Sequence, residues 1–411
     1  MKTISALALF TMSAFAYGQD GSIEIHSRNK AISGAYTILS DSDGLLNSVA
    51  YFEGSHEISL DQSPGAWKLN IRYRLRIDGA DDEVSKLSEK NLNREAFYLT
   101  KSLDRGNLKV GIQEITWGES LIFPILDMVN TRDFTYAKGF LDADSKQSNA
   151  MLNYEMFSDY GNIQLLYIPR ARASTVPTEI GDFTLDSGEE AKFIEDHEYG
   201  FRMRAPSDFF DLSLYYLNHF NREPAIKFNP FSGGDDLILS KRRLNTFGLS
   251  SNVATETRIY KAELRHTPDQ PISGVVRVEE DRNLTQSMFG VNQAIGLNYS
   301  LGLEVHYDNW GIMPDAYNSD AFASAKEVSG DLLWVGMNFN SSFKNGLITP
   351  QLILFKGVGN EDVFGRLKSD FVIADDYELG VELQASKVSS SSPKFILSQA
   401  VRLLLEFKAF F

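Results

Sequence analysis

Residues 67–78 read Trp-Lys-Leu-Asn-Ile-Arg-Tyr-Arg-Leu-Arg-Ile-Asp, and this stretch constrains the fold more than any other. In an extended chain, neighbouring side chains point to opposite faces. Leu69, Ile71, Tyr73, Leu75 and Ile77 therefore share one face, and Lys68, Asn70, Arg72, Arg74 and Arg76 share the other. A half-buried strand of a soluble sheet has no use for a continuous basic ladder. The inner wall of a water-filled barrel does. The alternation recurs along the chain, with Tyr199, Phe201 and Met203 opposite Arg202 and Arg204, and Tyr260, Ala262 and Leu264 opposite Lys261, Glu263 and Arg265. Further on, Leu301, Leu303, Val305 and Tyr307 oppose Gly302, Glu304, His306 and Asp308, and Tyr377, Leu379, Val381 and Leu383 oppose Glu378, Gly380, Glu382 and Gln384. Each apolar face suits a strand of about nine to eleven residues crossing a bilayer at a tilt.

The last stretch, 399–411, sets Leu403, Leu405, Phe407, Ala409 and Phe411 against Arg402, Glu406 and Lys408. It resembles the closing strand of Gram-negative outer-membrane β-barrels. In that class the aromatic end, here Phe407 and Phe411, is what the barrel-assembly machinery reads. At the other end, Lys2 precedes an apolar run from Ile4 to Met12 and small residues at Ala14, Ala16 and Gly18, the pattern of a secretory signal peptide. The expected division is residues 1–18 as leader and 19–411 as one barrel domain. After the leader no run of about eighteen apolar residues offers a helical span. The chain has no cysteine, so it cannot rely on disulfides. With 55 Asp and Glu against 40 Lys and Arg it lacks the basic footprint that nucleic acid requires.

The fold expected is all-β: a transmembrane antiparallel up-and-down barrel of about eighteen strands, with sixteen as the other possibility. Connections alternate in length. Placing the carboxyl end in the periplasm puts tight turns at Asp61–Gly65, Asp104–Gly106, Ser158–Gly161, Ser342–Gly346 and Ala374–Asp376 on that side. Long connections near 79–91, 117–147, 170–195, 221–243, 268–283, 309–326 and 388–397 then face outward. Parity requires a first strand near 30–39 and a hairpin turning near Gly296.

The connection after Val110–Thr116 is the most distinctive. Trp117, Leu121, Ile122, Phe123, Pro124, Ile125 and Leu126 make it too apolar to hang in water, so it is expected to fold back into the barrel and leave Glu119, Asp127, Arg132 and Asp133 in the aqueous path. Gly111, Gln113, Trp117, Gly118, Asp127, Asn130, Arg132 and Asp133 also resemble the Gly-x-Gln…Trp-Gly…Asp…Asn-Pro-Arg-Asp pattern of a large, mostly uncharacterised family of outer-membrane proteins related in style to uptake and export porins. Thr131 stands where that family has proline. The resemblance covers roughly 95–180 and implies a fold and a location more firmly than a substrate.

The function expected is passive diffusion of small polar or charged solutes through a lumen narrowed at 117–133. A basic wall of Arg72, Arg74, Arg76, Arg202, Arg204, Lys261 and Arg265 would face the acidic connection across a transverse field. The plainer reading of these cations is a solvated lining paired across strands. Two alternatives stay open: a channel for hydrophobic substrates, and a structural or adhesive barrel with a closed lumen. The expected neighbours are outer-membrane lipid and lipopolysaccharide, with small solutes inside. His26, His56, His197, His219, His266 and His306 show no metal-ligand spacing, and no nucleophile elbow is present. No cofactor, metal or enzymatic activity is expected.

Overall fold

The computed structural model inverts the burial rule of soluble proteins. On the strand Tyr299–Asn309 the apolar Leu303, Val305 and Tyr307 are 36–44% exposed, while the intervening Glu304, His306 and Asp308 are at most 2% exposed. An outward apolar face and an inward polar face are what a barrel in lipid requires.

The structure describes residues 26–40, 46–59, 67–78, 92–132, 146–172, 196–222, 242–271, 281–310, 331–359, 362–387 and 400–410, with short pieces of the long connections. Among the described residues, eighteen strands form one sheet. In chain order they are β1 (His26–Ser40), β2 (Leu46–Ser59), β3 (Trp67–Asp78), β4 (Leu92–Leu103), β5 (Gly106–Gln113) and β6 (Asn149–Ser158). Then come β7 (Gly161–Ile168), β8 (Glu198–Pro206), β9 (Asp211–Phe220), β10 (Arg243–Ala254), β11 (Arg258–Pro271) and β12 (Asp281–Ile295). The last are β13 (Tyr299–Asn309), β14 (Leu332–Ser341), β15 (Ile348–Val358), β16 (Val363–Ala374), β17 (Tyr377–Lys387) and β18 (Ala400–Phe410). Each pairs antiparallel with its chain neighbours, and β1 pairs with β18 in register from Ile32 with Phe410 to Ser40 with Arg402. Among the described residues the ring leaves no edge strand, and hydrocarbon tolerates no unpaired edge.

The turns at one end are short for local reasons. Ser158 closes the β6–β7 turn by donating its hydroxyl to the Gly161 carbonyl at 2.9 Å, and Ser207 closes the β8–β9 turn in the same way on Phe210 at 2.7 Å. The β12–β13 hairpin turns at Gly296, whose φ of +64° favours glycine, as expected. The turns expected at 104–106, 158–161, 342–346 and 374–376 are all present, whereas 61–65, 79–91 and 388–397 lie outside the described residues.

At the opposite end the long connections carry short ladders of their own. Thr131–Arg132 pairs with Lys146–Gln147, and Ala171–Arg172 pairs with Phe193–Ile194. Strand ends differ from the sequence-based bounds: β1 begins at His26, β11 runs to Pro271 and β12 begins at Asp281. Ladder pairing joins backbone groups whatever the side chains, so it continues past the point where hydrophobic alternation stops.

An inward-folded connection as candidate functional site

Beyond β5 the chain does not leave the barrel mouth. Residues 114–130 fold against the inner wall, turning at Gly118 (φ +88°), and return through the Thr131–Arg132 ladder. Apolar side chains seat the segment. Trp117 is buried against Tyr215, with ring centroids 5.4 Å apart, and its Nε1 donates to Gln164 Oε1 at 2.9 Å. Ile115, Ile125, Leu126, Met128 and Val129 join Trp117 in one cluster with Met151, Leu166, Leu217 and Met288 of the wall. Ile122 and Phe123 form a second with Trp334, Ile353, Phe355 and Phe364. Burying a side chain of this size contributes about 1.5–3 kcal/mol.

The wall is hollowed where these side chains land. An added Cβ on Gly248 would lie 2.5 Å from Leu126 Cδ2, and one on Gly336 would lie 2.9 Å from Ile122 Cδ1 and 3.0 Å from Phe123. One on Gly200 would meet Trp117 at 3.0 Å. Inward glycines on β8, β10 and β14 are therefore sockets for the segment, because only a residue without a side chain leaves the space it occupies.

Polar wall groups supply the second fastening. Glu304 Oε2 accepts from Ser120 Oγ at 2.7 Å, from the Ile122 N–H at 3.0 Å and from the Phe123 N–H at 3.2 Å, while Oε1 accepts from the Leu121 N–H at 2.9 Å. Glu263 accepts the Glu119 N–H and, at 2.9 Å, the Ser120 N–H. Two buried carboxylates thus satisfy consecutive amides that no secondary structure pairs, which a segment buried inside a barrel requires. Lys261 Nζ donates to the Glu119 carbonyl at 2.6 Å and Arg265 to the Ile125 carbonyl at 3.5 Å. Asn130 closes the base, accepting the Ile115 N–H at 3.3 Å and donating to the Ile115 carbonyl at 2.5 Å. Arg222 donates to the Val129 carbonyl at 3.0 Å and pairs with the fully buried Glu198 at 2.5 Å.

The residues singled out in the sequence fall into distinct groups. Trp117 is a buried anchor. Glu119 is held through its backbone, its N–H donating to Glu263 and its carbonyl accepting from Lys261. Asp127 and Arg132 are ion-paired at 3.1 Å, with the Asp127 side chain only 3% exposed, so this acid is held inside the segment. Asp133 lies outside the described residues. Of the basic wall, Arg72 is 46% exposed and pairs with Glu114. Arg74 and Arg76 lie in β3, where their side chains are not described. Arg202 and Arg204 pair with Glu155 at 3.6 Å and Asp211 at 2.5 Å. Lys261 and Arg265 are buried and hold the segment rather than line open water. Phe407 faces outward and stacks on Tyr377, with centroids 5.8 Å apart, while Phe411 lies outside the described residues. The sequence reading placed Glu263 and Glu304 on the inward face without a role, and gave none to Glu114, Lys146 or Arg222.

A closed antiparallel barrel of 18 strands with a long connection packed on its inner wall has the fold of the outer-membrane porins. The chain is similar in structure to OccAB1 of Acinetobacter baumannii (TM-score 0.58, 7% identity, 94% of this chain and 96% of that one). It is likewise similar to OccK8 (OprE) of Pseudomonas aeruginosa (TM-score 0.57, 10% identity, 94% and 98% covered) and to OmpF of Salmonella typhi, solved in complex with daunomycin (TM-score 0.50, 8% identity, 94% and 97% covered). No family model matches the sequence, and no curated protein matches it.

Proposed function

We propose that this protein is an outer-membrane channel that passes small polar or charged solutes by passive diffusion, with residues 117–133 narrowing its lumen. The observation that carries this reading is the double fastening of the inward segment, by apolar side chains in glycine sockets and by Glu263 and Glu304 on its amides. A barrel of about eighteen strands leaves an aqueous channel unless something fills it. A segment held this firmly sets the width of what remains. Ile122, Phe123, Ile125 and Leu126 are buried against the wall and offer no apolar lining to a hydrophobic solute, which favours polar cargo.

The remaining elements of the proposal follow from such a barrel. It is exported behind a leader at residues 1–18, inserted through the barrel-assembly machinery with Phe407 and Phe411 as its signal, and surrounded by lipid and lipopolysaccharide. The Gly111, Gln113, Trp117, Gly118, Asp127, Asn130 and Arg132 pattern is the stem and anchor of the constriction. Recording from the purified protein in planar bilayers tests the reading. Stable conductance steps are expected, and deletion of 119–131 enlarges them. A silent barrel refutes the channel and favours the closed-lumen alternative, while an unchanged conductance after the deletion places the segment outside the solute path.

A further inference from the structure

Where the inward segment leaves β5, charges alternate in a single chain. Arg72 Nη2 meets Glu114 Oε2 at 3.1 Å, and the other Glu114 oxygen, Oε1, stands 3.9 Å from Lys146 Nζ. Lys146 pairs with Asp127 at 2.8 Å and donates to Thr116 Oγ1 at 2.9 Å, and Arg132 closes the chain on Asp127. From Asp127 outward to Arg72 exposure rises: 3% for Asp127, 10% for Lys146, 25% for Glu114 and 46% for Arg72, with Arg132 on the far side of Asp127 at 19%. The small Ala96, cross-strand partner of Arg72 on β4, leaves the guanidinium room to reach over that strand.

The two ends behave differently. The Asp127 end is dry and fixed, whereas the Arg72–Glu114 pair is wet, and exposed pairs of this kind open at little cost. Glu114 also has somewhere to go, because closing the gap to Lys146 replaces the contact it gives up. A guanidinium presents a planar fork that takes an oxyanion through paired N–H groups.

We infer that Glu114 is a built-in competing anion on Arg72: an anionic solute entering the lumen takes the guanidinium, and Glu114 withdraws onto Lys146. This rests on the channel reading and deepens it by naming the class of solute, small oxyanions, and the residue that sets how tightly they are held. No covalent step is involved.

The test uses the full-length protein in planar bilayers in potassium chloride, with sodium succinate as the probe anion. Succinate interrupts the wild-type current. Glu114→Gln strengthens that interruption by roughly two- to fivefold, the range expected for removing an exposed competing ion pair, and shifts the reversal potential in a salt gradient toward anions. Arg72→Gln abolishes the interruption, and Glu114→Gln then has no further effect in the Arg72→Gln background. Unchanged succinate affinity in Glu114→Gln overturns the inference, and so does an equal gain in the Arg72→Gln background, which marks a diffuse charge effect. A wild-type barrel without current fails the channel reading itself. A conducting barrel indifferent to Glu114→Gln fails only the exchange.

Discussion

Glu304→Gln isolates how much of the segment's seating is electrostatic. The substitution keeps the shape and removes the charge. If the amide oxygen takes the place of Oε2, the contacts from Ser120, Ile122 and Phe123 survive as neutral hydrogen bonds, while the new NH2 group faces the Leu121 N–H and leaves it without an acceptor. One orphaned buried amide costs about 1–3 kcal/mol, and each charge-assisted bond made neutral loses about 0.5–1.5 kcal/mol. Against this, the change removes one of two carboxyl groups that converge on the same short run of backbone, Glu263 on residues 119–120 and Glu304 on residues 121–123. Allowing for non-additivity, the net is about 2 kcal/mol, roughly a thirtyfold rise in the population of the unseated segment. The apolar anchors Trp117, Ile122, Phe123 and Leu126 together contribute about 6–12 kcal/mol by burial, so the segment remains seated on average. Hydrogen exchange read by mass spectrometry on a peptide spanning 119–126 should speed by that factor, while strand peptides and mean conductance stay unchanged. Exchange as slow as in the wild type would refute the claim that the wall carboxylate holds these amides.

Other substitutions probe the remaining contacts. Gly248→Ala forces Leu126 out of its socket and should cost about 1–3 kcal/mol, read as a lower unfolding temperature of the detergent-solubilised barrel. Trp117→Ala removes the largest buried anchor of the segment and should cost about 3–5 kcal/mol, with larger conductance fluctuations in bilayers. Arg222→Ala strands the buried Glu198 carboxylate and should cost about 3–5 kcal/mol, and adding Glu198→Gln should restore part of the loss. Full stability of the single variant would show that the pair is not what holds the base of the segment.

The barrel was legible in the sequence because lipid on one side and water on the other impose a strict two-residue period, which Trp67–Asp78 and Tyr299–Asn309 carry in full. The inward fate of 117–126 was legible for a related reason, since so many apolar residues have no place in solvent. The wall groups that receive the segment were not. Alternation puts Glu263 and Glu304 inside the barrel but says nothing of what lies across the lumen, and their partners are 143 and 183 residues away in sequence. The sockets were hidden for the same reason, because Gly200, Gly248 and Gly336 break the polar inward pattern without indicating what they make room for. Asp127 was read as an acid in open water because its cationic partner Lys146 approaches only after the chain has travelled through the connection and back.

The seam between β1 and β18 has a bearing on assembly. It joins residues 32–40 to residues 402–410, so no other ladder of the ring spans so much chain, and bringing those ends together carries the largest loop-closure entropy. Strands β8 to β14, which hold the sockets and both wall carboxylates, pair with near neighbours and need no help from the seam. Seating of the segment can therefore precede closure, while the half-built sheet is still an open trough that Trp117 reaches from the side. Once the two ends zip together, the same indole could leave only along the axis, past Tyr215 and Gln164. A seam that closes after the other ladders would thus make the internal arrangement topologically captive, although it joins strands other than those that carry the glycine sockets and the wall carboxylates.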